Sequence, residues 1–357
     1  MAPTNQQIAV MHPQIKNVWW AMKQMLFLAE YLAKYNQVTF YTFDQSGHDS
    51  SNDSFSIYSL FWSYPLKALS FIIYSYKVRK SDYIFVWNSP MHFVAVLSKI
   101  LFFSRAKVIW WHHHIPWYYS HAGTRIYIKK HIEKHLLSYV DTMIWNSRFL
   151  QYTLQNLYKK DIWLLYPIID TMYYNSSAQS KALTYKKTLF AMSRWEKWKW
   201  LADVFQVYDA LKQDFDLDLT VAGDWPELQT FRERYSDDSC VQFVWKTNVQ
   251  QNIQYFQAAD VFLFLSQIDS FGMTIIESLL CHTPVVSYEL WEAAYIIQNW
   301  KNGFMWKDTQ DIIDSTKIFL KDEILYKKLV QNCRKSIISN YGMDHFEQQL
   351  STIFSEI

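Results

Sequence analysis

Glycine is nearly missing from this chain. Its 357 residues include 6 Gly, where an average composition of roughly 7% predicts about 25. Cysteine is scarce as well: Cys240, Cys281 and Cys333 are scattered, with no CxxC and no His at ligand spacing. That argues against a disulfide framework and a structural zinc site, and makes a reducing compartment the default. No charge of one sign dominates. A formal net charge of +2 excludes a strongly basic nucleic-acid binder and an acidic disordered tail. No uninterrupted apolar run reaches the ~18 residues of a membrane span. The nearest, residues 55–76, is broken by serines, Pro65 and Lys67; its aromatic richness reads as a helix packed on a sheet, with a membrane-surface element as the other reading. The start, MAPTNQQIAVMHP, lacks the basic end and apolar core of a signal peptide, so the expected location is the cytoplasm.

What is present is tryptophan, 17 residues of it, in a chain that is otherwise half hydrophobic and long enough for two domains. Apolar runs at 8–11, 38–43, 83–86, 108–111, 142–144 and 162–165 alternate with helix-length segments such as 21–34. Continuous apolar strands alternating with helices predict a parallel sheet covered on both faces. Residues 170–187, polar and rich in Ser and Tyr, read as a linker. The alternation restarts at 188–192, 217–221, 241–244, 261–265 and 284–288. The expected organisation is an α/β domain over 1–169, a linker over 170–187, a second α/β domain over 188–340 and a terminal helix over 341–357. Two doubly wound halves place a ligand cleft between them, at the carboxyl ends of the strands.

The chemistry is concentrated in residues 262–304, FLFLSQIDSFGMTIIESLLCHTPVVSYELWEAAYIIQNWKNGF. A buried strand runs into a loop, and a helix starts near Met273. The helix N-terminus offers unpaired N–H groups and a positive dipole end to an anion such as phosphate. Gly272 lets backbone approach that anion closely. Glu277 tilts back toward the same end, where its carboxylate could accept two hydrogen bonds from a ribose diol. Asp269 sits in the loop. By spacing alone, the reading that Asp269 and Glu277 merely favour the helix dipole stands equally.

An acidic residue, seven residues, then Glu, with Phe-Gly after the acid and a following Pro-Val-Val strand, resembles glycosyltransferase family 4. AMSRWEKWKWL (191–201) resembles the family's "GR…KG" segment, VAGDWPE (221–227) its "VGDGPE", and DTMIWNSRFL (141–150) its "aNS" strand end. Residues 18–28 resemble the glycine-pair loop and the helix behind it, and residues 243–247 the segment beside the nucleobase. The resemblance covers nearly the whole chain in order. It implies a GT-B fold of two Rossmann-like domains and a retaining enzyme. It further implies that Arg194 and Lys199, with Lys197 as the alternative, hold the donor pyrophosphate. Glu277 would hold the ribose, and Ser270, Phe271, Gly272 and Met273 would complete the phosphate cradle. Asp269 and a histidine of the 112–114 run, His112 or His113, would position the sugar. The implied reaction moves a hexose from a UDP- or GDP-sugar to a glycan or lipid-linked acceptor, in cell-surface polysaccharide or glycolipid synthesis, with no cofactor or metal and no nucleic-acid partner. The alternatives are a nucleotide-sugar epimerase of the same fold and a non-catalytic sugar-binding homologue. The basic helix over 124–140 reads as an ordinary amphipathic helix or as a peripheral contact with the inner face of the cell membrane. Asp214-Phe-Asp216 and Asp216-Leu-Asp218 mimic a metal motif but read as a solvated turn.

Two features depart from the family. Its first acid is usually Glu, and here it is Asp269. Where it has Gly, this chain repeatedly has Trp: Trp19 and Trp20 in the glycine pair, then Trp200, Trp225, Trp245, Trp291 and Trp300. Drift would scatter different residues over such sites. One residue type throughout points to a gene whose UGA codons mean Gly and were translated as Trp; the other reading is an aromatic-rich lineage with real Trp, and on either reading Trp195 or Trp110 can be authentic.

Overall fold

The computed structural model describes residues 3–13, 15, 20–44, 54–59, 67–87, 91–112, 135–158, 162–169, 171, 174, 183–193, 201–223, 226–245, 247–266, 269–289 and 292–357. Two compact units result: Met1–Ile168 with Met343–Ile357, and Ile169–Gly342.

The first unit runs β1 (Gln7–Met11), α1 (Trp20–Ala33), β2 (Gln37–Thr42), β3 (Ser56–Ser59), α2 (Lys67–Val78), β4 (Tyr83–Val86), α3 (Met91–Phe102), β5 (Lys107–His112), β6 (Thr142–Trp145), α4 (Arg148–Tyr158) and β7 (Ile162–Leu164). Its seven strands are all parallel, in the order β3-β2-β1-β4-β5-β6-β7. Residues 55–76 are therefore not one helix. Within it lie the edge strand β3, half-buried along most of its length, and, from Lys67, the helix α2. Aromatic content could not make that distinction, because β3 is short and its Ser-Ile-Tyr-Ser alternation lies inside the aromatic run.

The second unit runs β8 (Lys187–Met192), α5 (Leu201–Leu211), β9 (Leu217–Ala222), α6 (Pro226–Arg234), β10 (Val241–Val244), α7 (Val249–Ala258), β11 (Val261–Phe264), α8 (Met273–Leu280), β12 (Val285–Tyr288), α9 (Ala293–Ile296), β13 (Gly303–Trp306), α10 (Thr309–Lys321) and α11 (Glu323–Tyr341). Its six strands are parallel, in the order β10-β9-β8-β11-β12-β13. The chain order reverses between β8 and β11, and open α/β sheets bind ligands at the carboxyl ends of such neighbours.

The last helix, α12 (Met343–Ser355), belongs to the first unit. Phe346, Leu350, Ile353 and Phe354 form one buried stripe and join that unit's core. Phe346 meets Tyr31 edge-on at 5.8 Å, and Phe354 meets Tyr83 at 5.0 Å. At about 1.5–3 kcal/mol for each large side chain taken from water, the stripe is sufficient to hold the helix in place.

One device sets strand register in both units. An Asp immediately before a strand accepts an N–H at the start of the neighbouring strand. Asp82 takes Gln7 N at 2.8 Å, Asp141 takes Val108 N at 2.7 Å, and Asp260 takes Thr188 N at 2.8 Å. Each carboxylate satisfies a backbone donor that the sheet edge would otherwise leave to solvent. Helix starts are fixed the same way: Asn248 and Gln251 form a reciprocal capping box on α7, and Asp308 and Asp322 cap α10 and α11.

Candidate donor site

The site is built on the switch point of the second unit. β8 and β11 lie side by side, Leu189 opposite Val261 and Phe190 opposite Phe262. In sequence, the segment carrying Arg194, Lys197 and Lys199 follows β8, and the loop carrying Asp269 follows β11. Arg194, Lys197, Lys199 and His113 lie outside the described residues, as does Trp19; Trp20 is the first residue of α1.

Helix α8 begins after Gly272, whose φ of +81° belongs to the left-handed region that favours glycine. A Cβ there would also lie 2.9 Å from Ile275 Cδ1. Ile275, Ile276, Ser278, Leu279 and Leu280 are buried, whereas Met273, Thr274 and Glu277 are half-buried. Those three share one face at i, i+1 and i+4, so the accessible side of α8 is a narrow stripe from its N-terminus to the Glu277 carboxylate. Helix geometry leaves the N–H groups of Met273 and Thr274 without intrahelical acceptors.

Asp269 behaves differently from expectation. Its Oδ1 accepts the N–H groups of Phe271 at 3.1 Å and Gly272 at 2.9 Å. Two of the N–H groups assigned to the phosphate cradle are thus engaged by the loop's own carboxylate. The short Asp side chain makes this turn-closing bond readily. Ser270 is half-buried in the same loop, and Phe271 is buried edge-on against Tyr341.

Glu277 has a partner that sequence reasoning missed. Tyr174 Oη donates to Glu277 Oε1 at 3.0 Å, and the Tyr174 side chain is buried. Arg334 of α11 fixes this arrangement. Its Nη1 donates to the carbonyls of Tyr174 at 2.8 Å and Leu280 at 3.0 Å, and its Nη2 to that of Thr171 at 2.7 Å. One guanidinium therefore ties the Thr171 and Tyr174 carbonyls to the C-terminal end of α8, where the helix dipole favours a cation. Tyr174 sits in the tract read as a linker and Arg334 in an amphipathic helix. No local pattern joins them, because the contact spans 160 residues.

In the first unit, His112 closes β5. It is 3% exposed, its ring stacked on Trp145 at 4.1 Å and tilted on Trp110 at 4.3 Å. Strand alternation puts residues 110 and 112 on the same face, which here is packed core. Two of the three acids of the metal-like motif are paired with lysines: Asp214 with Lys317 at 2.7 Å and Asp218 with Lys186 at 2.7 Å. The hydrogen bond from Lys317 holds the Asp214 carboxyl below the usual carboxylate range.

Residues 174–336 match the family described as glycosyl transferases group 1. Among curated proteins, the chain is 27% identical over 211 residues to N-acetyl-alpha-D-glucosaminyl L-malate synthase of Bacillus anthracis, covering 56% of this chain and 54% of that one. The chain spans about half the length of the curated relatives it matches. Among solved structures, HepE of Anabaena in complex with UDP and glucose superposes with a TM-score of 0.78 at 16% identity, over 99% of this chain and 100% of that one. A glycosyltransferase from Rickettsia africae gives 0.79 at 14% identity, over 99% and 98%. At such identities the likeness is one of fold: two Rossmann-like units with parallel sheets, the GT-B class.

Proposed function

We propose that this chain, whose residues 174–336 match the glycosyl transferases group 1 family, moves a hexose from a UDP- or GDP-sugar to a glycan or lipid-linked acceptor, with retention and without a metal. The observation that carries the reading is the accessible stripe of α8, where a helix N-terminus and a carboxylate held in place lie on one face. A diphosphate is favoured at the helix end by its N–H groups and dipole. Arg194 and Lys199, or Lys197, neutralise the leaving diphosphate, and Glu277 accepts the ribose hydroxyls. Stabilising the departing charge with cations and a helix terminus is the main catalytic contribution. In this scheme the acceptor hydroxyl attacks the anomeric carbon on the face the diphosphate leaves, and a donor phosphate oxygen takes its proton. Asp269 and a histidine of the 112–114 run orient the hexose. The product then serves cell-surface polysaccharide or glycolipid synthesis.

The experiment is release of nucleoside diphosphate from UDP-glucose and GDP-mannose, with and without candidate acceptors and with EDTA present. Acceptor-dependent release supports transfer. Conversion of the sugar without release identifies an epimerase, and binding without either identifies a non-catalytic homologue.

Tyr174 gives a sharper prediction. Its hydroxyl fixes the carboxylate that receives the ribose diol, so Tyr174→Phe is expected to weaken UDP or GDP binding by about fivefold to tenfold, less than the worth of one charge-assisted hydrogen bond because the tyrosine acts through the carboxylate. Binding of the 2′,3′-dideoxy nucleotide should not change, because it lacks the diol. Calorimetry reads both constants. Equal losses for the two nucleotides would mean that Tyr174 supports the fold and not Glu277.

We also propose that glycine is the functional residue at the Trp positions that align with family glycines. Support comes from Trp300, whose φ of +66° is a backbone conformation uncommon for any bulky residue. Trp110, Trp111 and Trp145 offer a contrast, since they are buried on the strands β5 and β6 and fill the core as written. Trp245 is half-exposed, with the Arg232 guanidinium 5.3 Å from its ring. Reading the codons decides the matter: UGA at 19, 20, 200, 225, 245, 291 and 300 supports recoding, and UGG there ends the idea.

A further inference from the structure

The amino-terminal edge of the first unit's sheet carries a surface that the transfer reaction does not use. Phe103 follows α3 with a left-handed backbone, φ +52°, and leaves 86% of its side chain exposed. It does not stand alone. Leu69, Ile72 and Tyr76 recur at i, i+3 and i+7 on α2 and are all exposed, and Ile100 and Leu101 are exposed on the last turn of α3. The Tyr76 ring meets Phe102 edge-on at 5.5 Å, which joins the two helices into one apolar face. Contiguous apolar surface of this kind on a folded unit marks an interaction site.

The border of the patch says what it meets. Beside Phe103 lies an open depression of about 460 Å3, lined by Arg79, Lys80, Arg105 and Lys107 with Asp82 the one carboxylate among its walls. Asp82 is occupied in taking the Gln7 N–H. The Arg79 guanidinium lies 3.4 Å from the centre of the Tyr76 ring, so the cationic rim and the apolar face are continuous. Protein interfaces deplete lysine around their apolar centres. An exposed aromatic tip ringed by Arg and Lys instead matches a bilayer boundary, where apolar groups enter the acyl region and cations meet lipid phosphates. Among the described residues no helix is long and apolar enough to cross a membrane.

We propose that this edge of the first unit seats on an anionic lipid bilayer, with Phe103 and the exposed α2–α3 side chains at the acyl boundary and Arg79, Lys80, Arg105 and Lys107 against the lipid phosphates. The seat stands on its own, apart from the donor site, and goes beyond the transfer reading. It also places the contact on residues other than the basic 124–140 segment, most of which lies outside the described residues.

Vesicle flotation with the full chain tests it. Binding is expected to vesicles of phosphatidylcholine with phosphatidylglycerol, and not to phosphatidylcholine alone. Phe103→Ser, and separately Arg105→Glu with Lys107→Glu, are each expected to lower partitioning about tenfold or more, and added salt to weaken it further. Thermal melts and UDP binding of these surface variants should match the parent chain, which separates a failed seat from a failed donor site. The proposal is overturned by equal flotation on both lipids, by variants that float like the parent, by no flotation at all, or by a Phe103-dependent dimer in the absence of lipid.

Discussion

Glu277→Gln is expected to weaken binding of the nucleoside diphosphate by about two orders of magnitude, with the thermal stability of the protein nearly unchanged. A carboxylate that accepts two ribose hydroxyls makes two charge-assisted bonds, each worth roughly 1.5–3 kcal/mol. The neutral amide keeps one acceptor and turns its other atom into a donor, so one bond weakens and the other is lost. About 2.7 kcal/mol corresponds to a hundredfold in the dissociation constant. Stability should hold because Glu277 is half-buried on the accessible stripe of α8 and Tyr174 can still donate to the remaining carbonyl oxygen. Calorimetric titration with UDP and GDP, beside a melt of the same preparation, checks both halves. Wild-type affinity in the Gln variant would remove Glu277 from the ribose and take the donor-site reading with it.

Most strands of the two sheets were readable because they are buried on two faces and so appear as continuous apolar runs, as 83–86 does for β4; the edge strand β10, only partly buried, was still found at 241–244 from its Val and Phe. The three register-setting aspartates are also visible, each directly before such a run. What the pattern hid is equally physical. β3 and β13 are edge strands of four residues, paired on one side: β3 carries little apolar signal, and the short apolar run of β13 is too brief to tell strand from helix by periodicity. At the site, spacing revealed Glu277, Asp269 and the helix between them, since all lie within nine residues of one chain segment. It could not reveal Tyr174 or Arg334, which reach α8 from remote parts of the chain. Nor could it reveal that Asp269 closes its own turn, because that depends on side-chain length and loop geometry together. The His112 environment fell between these cases: alternation gives its face, but whether that face is cleft or core depends on Trp145 across the sheet.

The scarcity of glycine makes its few sites informative, and the turn into β13 holds the strongest contrast. Gly303 pairs with Val285 across the sheet, and a Cβ built on it would lie 2.2 Å from the Val285 carbonyl oxygen. No side-chain adjustment relieves a contact with backbone, so Gly303→Ala must push β13 off β12. The expected cost is about 3 kcal/mol or more, at the upper end of overpacking. For a unit of this size that lowers the melting temperature by roughly 6–12 °C. Three residues earlier, Trp300→Gly should cost far less than removing an indole normally does. The substitution loses an edge-on contact with Phe304 at 4.7 Å, from a side chain that is already 42% exposed. Such a contact is worth about 0.5–1.5 kcal/mol. It gains relief from the left-handed backbone, about 1–2 kcal/mol for an L-residue. The two nearly cancel, so the melt should move by no more than about 3 °C. Trp110→Gly is the control, because that indole is fully buried on β5 and its loss should cost about 3–5 kcal/mol. If Trp300→Gly proves as damaging as Trp110→Gly, tryptophan is native at 300 and the glycine reading fails at the one position, among the described residues, where the backbone speaks for it.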